Sequence, residues 1–241
     1  CNAASYAENT VAEHTFALIL GLTRKIPESL DRYRKGNVSL NGLSGIDLKG
    51  KILGVIGTGR IGVNVIKIAN GLGMKIIAYD IFKKNSLTKK LNFSYVSLEL
   101  LLKKSDIVSL HCPLTKDNIN LLNRKNISKM KKDAILINTA RGKLIDTVAL
   151  ADAFRKGRIK AIGLDVLENE KEIKRDSKIL FKNINDKLLK AEKYLLRQKN
   201  VIITAHNAFN SEESLYRLLD ETVENINNFT KGKVNNKCYS C

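Results

Sequence analysis

The 241-residue sequence has no long apolar run, few cysteines and few aromatic residues. A membrane-spanning helix needs about 18 to 20 consecutive apolar residues, and no stretch of this chain reaches that length. No charged start leads into an apolar segment of the kind that directs secretion. Four cysteines are too few and too scattered for a disulfide framework. These absences predict a cytoplasmic globular protein that has no membrane partner.

Two of the cysteines, Cys238 and Cys241, form a C-x-x-C pair at the end of the chain. A structural metal site of this type needs a second pair, and a redox site needs a flanking βαβ pattern. The sequence offers neither, so we expect a frayed tail and predict no metal site.

The net charge of +18 raises the question of a nucleic-acid partner. The lysines are spread along the whole chain, only 6% of residues are aromatic, and no zinc-finger or RNA-binding motif is present. We therefore expect weak, salt-sensitive adhesion to polyanions and no specific nucleic-acid partner.

A glycine-rich turn stands between an apolar run at 52–56 and a helical pattern at 63–72. It reads Gly57-Thr58-Gly59-Arg60-Ile61-Gly62. Gly57 allows the tight turn, Gly59 lets the backbone approach a diphosphate, and Gly62 lets helix and strand pack closely. The helix N-terminus then points N–H groups and a positive dipole end at the phosphates. This pattern predicts a dinucleotide site.

A second strand, predicted at 75–80, ends in Asp80 at about the spacing expected for an acid that binds the adenosine ribose. An anionic carboxylate repels a 2′-phosphate, which favours NAD over NADP. Lys83 and Lys84 lie close enough to soften that preference.

Strands and helices continue to alternate beyond this point. Strands are predicted at 106–110, 134–138, 161–166 and 201–204, and helices at 98–104, within 119–129 and at 148–156. A helix is also predicted at 11–26, with Leu20 on its apolar face, and a polar arm at 31–50. Such alternation predicts an α/β fold with a doubly wound parallel sheet, whose ligands bind beyond the carboxyl ends of the strands.

The residues that follow these strands carry compatible chemistry. Arg141 offers a planar fork that matches a carboxylate, and His206 can exchange a proton near neutral pH. An acid beside the histidine favours the imidazolium and fixes the ring. Spacing does not decide whether Glu168 or Glu170 supplies it. Reduction of a ketone next to a carboxylate needs such a cation and proton donor, whereas His14 and His111 are interpreted as structural.

The chain resembles the D-isomer-specific 2-hydroxyacid dehydrogenases, in the fermentative D-lactate dehydrogenase branch. Besides the glycine turn, the matching motifs are Val11-Ala12-Glu13-His14-Thr15, His111-Cys112-Pro113-Leu114-Thr115, Asn138-Thr139-Ala140-Arg141-Gly142, Gly163-Leu164-Asp165-Val166 and Thr204-Ala205-His206. That branch also has Asp-Val-aromatic-Glu-x-Glu followed by a polar insertion, matched by 165–170 and 171–199. Leu167 stands where the branch has an aromatic residue.

The resemblance implies a role for each matching residue. Arg141 binds the substrate carboxylate, His206 is the proton donor and Glu170 is its acidic partner. The implied NAD contacts, in addition to the three glycines, are Arg60, Ile61, Asp80, Cys112, Pro113, Asn118, Thr139, Ala140, Arg141 and Asp165.

The first residues match the family from a point well inside its members, which leads us to expect that most of the substrate-binding domain is missing. We expect an NAD-binding domain at 1–206, with its hinge helix and dimerisation arm, and a C-terminal segment at 207–241. That segment carries an amphipathic helix at 211–231, which in the family returns to the substrate-binding domain. The resemblance implies a homodimer.

The leading hypothesis is therefore an NAD-dependent enzyme that reduces pyruvate or a similar 2-oxo acid to the D-hydroxy acid, poorly in this chain alone. A glycerate or longer-chain 2-hydroxyacid dehydrogenase is an alternative within the enzyme class. An NAD-dependent interaction protein, like the corepressors that share this scaffold, is an alternative outside it. The combination of Arg141, Glu170 and His206 argues against the interaction protein.

Overall fold

The computed structural model describes residues 5–175 and 186–233. Cys1, Cys238 and Cys241 lie outside these ranges, as does the frayed tail expected there. None of the described helices combines the length and the apolar character that a membrane span requires.

A seven-stranded sheet in the order β3-β2-β1-β4-β5-β6-β7 organises the described residues. Every neighbouring pair of strands runs parallel. The strands are β1 (Ile52–Ile56), β2 (Lys75–Tyr79), β3 (Ser94–Tyr95), β4 (Ile107–Leu110), β5 (Ala134–Asn138), β6 (Ile159–Leu164) and β7 (Val201–Ile203). The strand order reverses between β1 and β4, which is where such sheets bind dinucleotides. The predicted doubly wound α/β fold is confirmed.

Helices cover both faces of the sheet. They are α1 (Glu8–Thr23), α2 (Ile26–Arg34), α3 (Arg60–Gly71), α4 (Asn85–Lys90), α5 (Leu98–Lys104), α6 (Arg124–Ser128), α7 (Thr147–Arg155), α8 (Glu170–Arg175), α9 (Lys187–Leu196) and α10 (Glu212–Thr230). Short 3₁₀ turns occupy Lys116–Asn118 and Gly142–Leu144.

The central strands β1, β4, β5 and β6 are largely buried on both faces, so the core has two layers. In β1, Leu53 and Val55 pack into the layer that contains α1 and α3, whereas Ile56 packs into the layer that contains α5 and α7. This arrangement explains why the strands read as continuous apolar runs, because a parallel sheet has no solvated face.

The first helix differs from the prediction, since α1 ends at Thr23 and a second helix begins at Ile26. Pro27 lies in the first turn of α2, where a proline is tolerated because the N–H groups of that turn have no intrahelical partner. The predicted arm is therefore helical as far as Arg34. Leu20 is 39% exposed and does not belong to the buried face of α1.

Helix α9 lies inside the stretch predicted as a polar insertion. Four of its ten residues are charged, and Leu189 and Leu195 are buried against the body of the domain. The Asp186 carboxylate accepts the Leu189 N–H at 2.7 Å and caps the helix. The prediction of a polar insertion at 171–199 did not include this helix.

Candidate active site

A cleft of about 600 Å³ opens at the carboxyl ends of the strands. Its walls come from the start of α1, the glycine turn and the segments that follow β4, β5, β6 and β7. The predicted site residues on its lining are Gly59, Arg60, Ile61, Cys112, Pro113, Thr139, Ala140, Arg141, Asp165 and His206. The sheet thus gathers at one edge residues that are far apart in sequence.

The glycine turn suits a diphosphate on geometric grounds. Gly57 has φ +96°, which residues with a side chain rarely adopt, and a Cβ at Gly62 would lie 2.0 Å from the Gly57 carbonyl oxygen. A Cβ at Gly59 would meet nothing within 4 Å, because this glycine faces open space. No side chain caps α3 and no acid stands in its first turn, so the positive end of the helix faces the cleft.

Two predicted cofactor residues, Asp80 and Asn118, stand back from the cleft wall. The Asp80 carboxylate, directly after β2, accepts the Thr58 N–H of the glycine turn at 2.6 Å. The Asn118 side chain accepts the Thr115 N–H and donates to the Pro113 carbonyl, both at 2.8 Å. Asn118 thereby fixes the loop that presents Pro113 to the cleft.

His111 and Cys112 follow β4 at the floor of the cleft. Burial lowers the pKa of His111 to about 3, and its Nε2 lies 2.8 Å from the Ser109 hydroxyl. His111 is therefore neutral at physiological pH and cannot act as the proton donor. Burial, reinforced by the Asp80 carboxylate, raises the pKa of the Cys112 thiol to about 11.

His206 and Glu170 are joined by a hydrogen bond, in which Glu170 Oε1 contacts His206 Nδ1. This contact settles the choice that spacing left open. Glu168 instead lies near the start of α7, with its Oε2 3.3 Å from the Thr147 backbone nitrogen. Because Nδ1 is held by the acid, Nε2 is the nitrogen left to exchange a proton.

The backbone of His206 is in the left-handed region, with φ +52°, which is uncommon for a residue other than glycine. Asp165, directly after β6, holds this conformation. Its carboxylate accepts the Asn207 N–H at 3.0 Å, the Ala208 N–H at 2.9 Å and the Thr204 hydroxyl at 2.5 Å. Asp165 is 1% exposed, so no water molecule can take the place of its carboxylate as the acceptor for these donors.

Replacing Asp165 with alanine is expected to lower the free energy of unfolding by about 2–5 kcal/mol, because several buried donors lose their acceptor. Asparagine keeps one acceptor oxygen and should cost less. Urea denaturation of the two variants and the parent measures both effects. Equal stability of the alanine variant and the parent would contradict the anchoring role.

His14 joins this network from α1. The Thr204 hydroxyl donates its single hydrogen to Asp165, so His14 Nε2, which lies 3.1 Å from that hydroxyl, acts as the donor to it. The same Nε2 is 3.5 Å from Asp165 Oδ1. These contacts agree with the structural interpretation of His14 and tie α1 to the loop of His206.

Arg141 follows β5 and is exposed on the cleft wall. Its Nη1 donates to the Ala140 carbonyl at 2.7 Å. The neighbouring Asn138 is buried and holds the turn, since its side chain accepts the Ala140 N–H and donates to the Arg141 carbonyl. The guanidinium is thus mounted on a rigid turn at the edge of the cleft.

A buried acid, Glu192 on α9, supports the loop that carries Glu170. It is completely buried, and its Oε1 accepts the Asn169 N–H at 3.2 Å. Burial raises its pKa to about 7, and the nearby carboxylates of Glu168, Asp186 and Glu172 add to the shift.

This raised pKa predicts that the fold loses stability as pH rises. Between pH 4.5, the ordinary value, and about 7 the unfolded chain gives up a proton that folded Glu192 retains. Relative to Glu192→Gln, the parent should lose roughly 2–3 kcal/mol of unfolding free energy across that range. Denaturation at about pH 5 and about pH 8 measures this, and parallel profiles for parent and variant would refute it.

Sequence reasoning missed the wall of the cleft that faces the strand ends. Tyr6, Glu8 and Val11 at the start of α1 line it, as does Phe209. The Phe209 ring contacts the rings of Tyr6 and His206 edge to face, each with centroids 6.3 Å apart. Glu8 pairs with Arg60 at 3.2 Å. Tyr6, Glu8 and Val11 follow no strand, and Phe209 lies three residues beyond His206 in the segment after β7, so inspection of the residues directly after each strand did not identify them.

Comparison with known proteins agrees with this geometry. Residues 16–208 match the family model of the D-isomer specific 2-hydroxyacid dehydrogenases, NAD binding domain. A 2-hydroxyacid dehydrogenase homolog of Haemophilus influenzae is 41% identical over 232 residues, which are 95% of this chain and 68% of the relative. An aromatic 2-oxoacid reductase of Clostridium sporogenes is 39% identical over 238 residues, 98% of this chain and 70% of the relative.

Among solved structures, the D-lactate dehydrogenase of Aquifex aeolicus, complexed with NAD and lactic acid, superposes with a TM-score of 0.86 at 43% identity. The match covers 95% of this chain and 68% of that one. The chain thus spans about two thirds of the length of these relatives. The fold, the glycine turn and these matches together place the chain in the D-isomer specific 2-hydroxyacid dehydrogenases, a family of NAD-dependent oxidoreductases.

Proposed function

We propose that the protein reduces pyruvate or a similar 2-oxo acid to the D-2-hydroxy acid. The observation that carries this proposal is the meeting of Arg141 and the His206–Glu170 pair on one cleft that also contains the glycine turn. A 2-oxo acid presents a carboxylate beside a carbonyl, and these side chains offer a cation and a proton donor to the two groups.

Each side chain has a separate task in the proposed reaction. Arg141 binds the substrate carboxylate through its planar fork and polarises the carbonyl. His206, protonated on both nitrogens, donates the Nε2 proton to the carbonyl oxygen in reduction and removes it in oxidation. Glu170 holds the ring through Nδ1 and stabilises the imidazolium. NADH, when bound, supplies the hydride.

The proposed cofactor contacts follow the same cleft. Gly57, Gly59 and Gly62 with Arg60 and Ile61 take the diphosphate, and Asp80 takes the adenosine ribose. Cys112, Pro113 and Asn118 lie beside the adenosine half. Thr139, Ala140, Arg141 and Asp165 lie beside the nicotinamide half, where the buried Asp165 also orients the loop of His206.

The side chain of the substrate differs between two of the relatives. The Aquifex aeolicus relative is complexed with lactic acid, whereas the Clostridium sporogenes relative is a reductase of aromatic 2-oxo acids. Lactic acid and an aromatic 2-oxo acid both have a carboxylate beside an oxygen on C2, which is a hydroxyl in the hydroxy acid and a carbonyl in the oxo acid. We propose that Arg141 binds the carboxylate and that His206 exchanges a proton with the C2 oxygen. We propose pyruvate first, and glycerate or longer 2-hydroxy acids as the alternatives to be compared.

The direct test measures NADH binding by fluorescence titration and then pyruvate-dependent oxidation of NADH. Because the relatives are longer than this chain, both measurements are made on this chain and on a form extended upstream to their length. We expect both forms to bind NADH and the extended form to turn over pyruvate. Binding without turnover of any 2-oxo acid in either form would refute the proposal and favour an NAD-dependent interaction protein.

We propose a boundary at 206/207 between the NAD-binding domain and a C-terminal segment. Helix α10 exposes an apolar stripe, formed by Leu215, Tyr216, Leu219, Val223, Ile226 and Phe229. Such a stripe is unusual for a helix whose partner surfaces are all present. The stripe supports packing of α10 on a substrate-binding domain, as the family resemblance implies.

We also propose that the chain forms a homodimer through α2 and the segment that follows it. Five large apolar side chains are exposed there, namely Ile26, Leu30, Tyr33, Val38 and Leu40. Tyr33 and Leu40 are 71% and 81% exposed. Burial of two such side chains contributes roughly 1.5–3 kcal/mol each.

Changing both Tyr33 and Leu40 to glutamate is expected to raise the dimer dissociation constant by about 100-fold or more. Light scattering across a concentration series measures the change. Changing Leu219 and Val223 on α10 to glutamate provides a matched control, which adds the same two charges to a different apolar surface. Unchanged dimerisation in the double variant would rule out this interface.

We propose a cytoplasmic location and no specific nucleic-acid partner. Cys112 is a free thiol, which suits a reducing compartment. Charged residues of both signs pair across the surface, as in Lys131–Asp106 and Arg124–Asp152. Cell fractionation tests the location.

A further inference from the structure

Behind the proposed adenosine end of the cleft, a chain of hydrogen bonds joins four residues from separate parts of the sequence. The Lys84 backbone N–H donates to the Tyr95 hydroxyl at 3.1 Å. The Tyr95 hydroxyl lies 2.8 Å from the Thr58 hydroxyl, and the Thr58 hydroxyl donates to Asp80 Oδ2 at 2.9 Å. These bonds connect the edge strand β3 to the acid at the end of β2.

Counting hydrogens fixes the direction of this chain. Thr58 has one hydroxyl hydrogen, which it gives to the carboxylate, so Tyr95 must be the donor to Thr58. Tyr95 is then free to accept from Lys84. Every donor points towards Asp80, and bonds aligned in one direction strengthen one another. Thr58 is completely buried, so no water competes for its hydroxyl.

The same contacts leave the Asp80 carboxylate little capacity to accept further hydrogen bonds. Oδ2 accepts the Thr58 N–H as well as the Thr58 hydroxyl, and Oδ1 accepts the Phe82 N–H at 2.9 Å. An ionised carboxylate has about four acceptor sites, so one remains, on Oδ1. A ribose hydroxyl can fill that site, whereas a 2′-phosphate brings a second negative charge to it.

The loop at 81–84 contains the positive charges that could offset a 2′-phosphate. Lys83 and Lys84 are exposed, and Ile81 and Phe82 are 74% and 78% exposed. Little buried surface holds such a loop, so its position depends on its hydrogen bonds. One end is tied through the Phe82 N–H to Asp80, and the other through the Lys84 N–H to Tyr95.

We propose that Tyr95 is a specificity-determining residue, whose hydroxyl fixes both the Asp80 carboxylate and the 81–84 loop and thereby makes the site prefer NADH to NADPH. The inference rests on the proposed contact of Asp80 with the adenosine ribose. Tyr95 itself touches neither cofactor; it acts through Thr58 and through Lys84. The ring packs edge to face on Phe93, with centroids 5.1 Å apart, so the hydroxyl is held in place.

Tyr95→Phe is the informative variant, because it keeps the ring and removes only the hydroxyl. The Lys84 N–H loses its acceptor and the Thr58 hydroxyl loses its donor. The loop lysines can then approach a 2′-phosphate, and the carboxylate is less firmly oriented towards a ribose hydroxyl. We expect the preference, given by the ratio of the NADPH and NADH dissociation constants, to fall about five- to tenfold.

The experiment titrates NADH and NADPH into the parent, Tyr95→Phe, Thr58→Val and the double variant, following cofactor fluorescence. Both single changes interrupt the same series of hydrogen bonds. The double variant should therefore lose little more of its preference for NADH than either single variant does. Tyr79→Phe is the matched control, since within the described residues the Tyr79 hydroxyl has no hydrogen-bond partner. Hydrogen exchange at the Lys84 amide should be faster in Tyr95→Phe than in the control.

Equal preferences in Tyr95→Phe and Tyr79→Phe would overturn the proposal, and so would additive losses in the double variant. Should Tyr95→Phe fail to fold, Thr58→Val tests the part of the proposal that runs through Asp80, since it breaks the link from Tyr95 to Asp80 and leaves the bond from the Lys84 N–H to Tyr95 in place. An unchanged preference in Thr58→Val would then overturn the proposal. Asp80→Asn tests the proposed ribose contact separately from the role of Tyr95. If Asp80→Asn leaves the preference unchanged, the proposed ribose contact is wrong; if it lowers the preference while Tyr95→Phe does not, only the role of Tyr95 is wrong.

Discussion

Replacing His206 with asparagine is expected to lower kcat/KM for the reduction of a 2-oxo acid by about 10²–10⁴-fold, which is the usual contribution of a positioned proton donor. Asparagine is the appropriate replacement because the backbone at this position is left-handed, with φ +52°. Asparagine tolerates that region better than most residues with a side chain. The variant therefore removes the imidazole and leaves the anchoring of the loop by Asp165 in place.

Two measurements make this prediction specific. NADH binding should be nearly unchanged in His206→Asn, since the residues proposed to bind the diphosphate and the ribose do not include His206. Glu170→Gln should lose less activity than His206→Asn, because an amide oxygen still accepts the Nδ1 hydrogen while the negative charge is gone. Activity of His206→Asn within a factor of about ten of the parent would remove His206 from the role of proton donor.

Replacing Arg141 with glutamine is expected to be the second large effect. Two charge-assisted hydrogen bonds to a carboxylate contribute about 1.5–3 kcal/mol each, so kcat/KM should fall about 10²–10⁴-fold. Lysine at this position keeps the charge but not the planar fork, and should recover only part of the loss. Most of the effect should disappear for a substrate analogue that lacks the carboxylate, since Arg141 then has no partner to lose.

Lys143→Gln is the matched control for charge, because Lys143 is exposed two residues away and does not line the cleft. This variant should retain nearly full activity. An equal loss in Arg141→Gln and Lys143→Gln would mean that the general positive field, and not a direct contact, draws the substrate in.

Much of this site could be predicted, because ligands of a parallel sheet bind beyond the carboxyl ends of its strands. The apolar runs of β4, β5, β6 and β7 mark the strands, and the segments after them include Arg141 and His206. Spacing did not predict which of Glu168 and Glu170 contacts His206, since the path of the chain from β6 to the start of α8 at Glu170 depends on tertiary contacts. One such contact comes from Glu192 on α9, a helix that the sequence prediction did not include.

The residues that hold the site in place were harder to predict than those that line it. The anchoring role of Asp165 depends on the backbone angle at His206, which no spacing rule reports. The link from Tyr95 to Asp80 depends on the pairing of β3 with β2, and β3 has only two residues. Asp80 itself was predictable, because a helix, a turn and a second strand follow the glycines and the acid stands directly after that strand.

The thiol of Cys112, at the floor of the cleft, is expected to react slowly with peroxide. Oxidation of a cysteine proceeds through its thiolate. With a pKa of about 11, Cys112 is ionised in only about one molecule in 10⁴ at neutral pH. The burial that raises this pKa is therefore expected to slow the oxidation of the Cys112 sulfur.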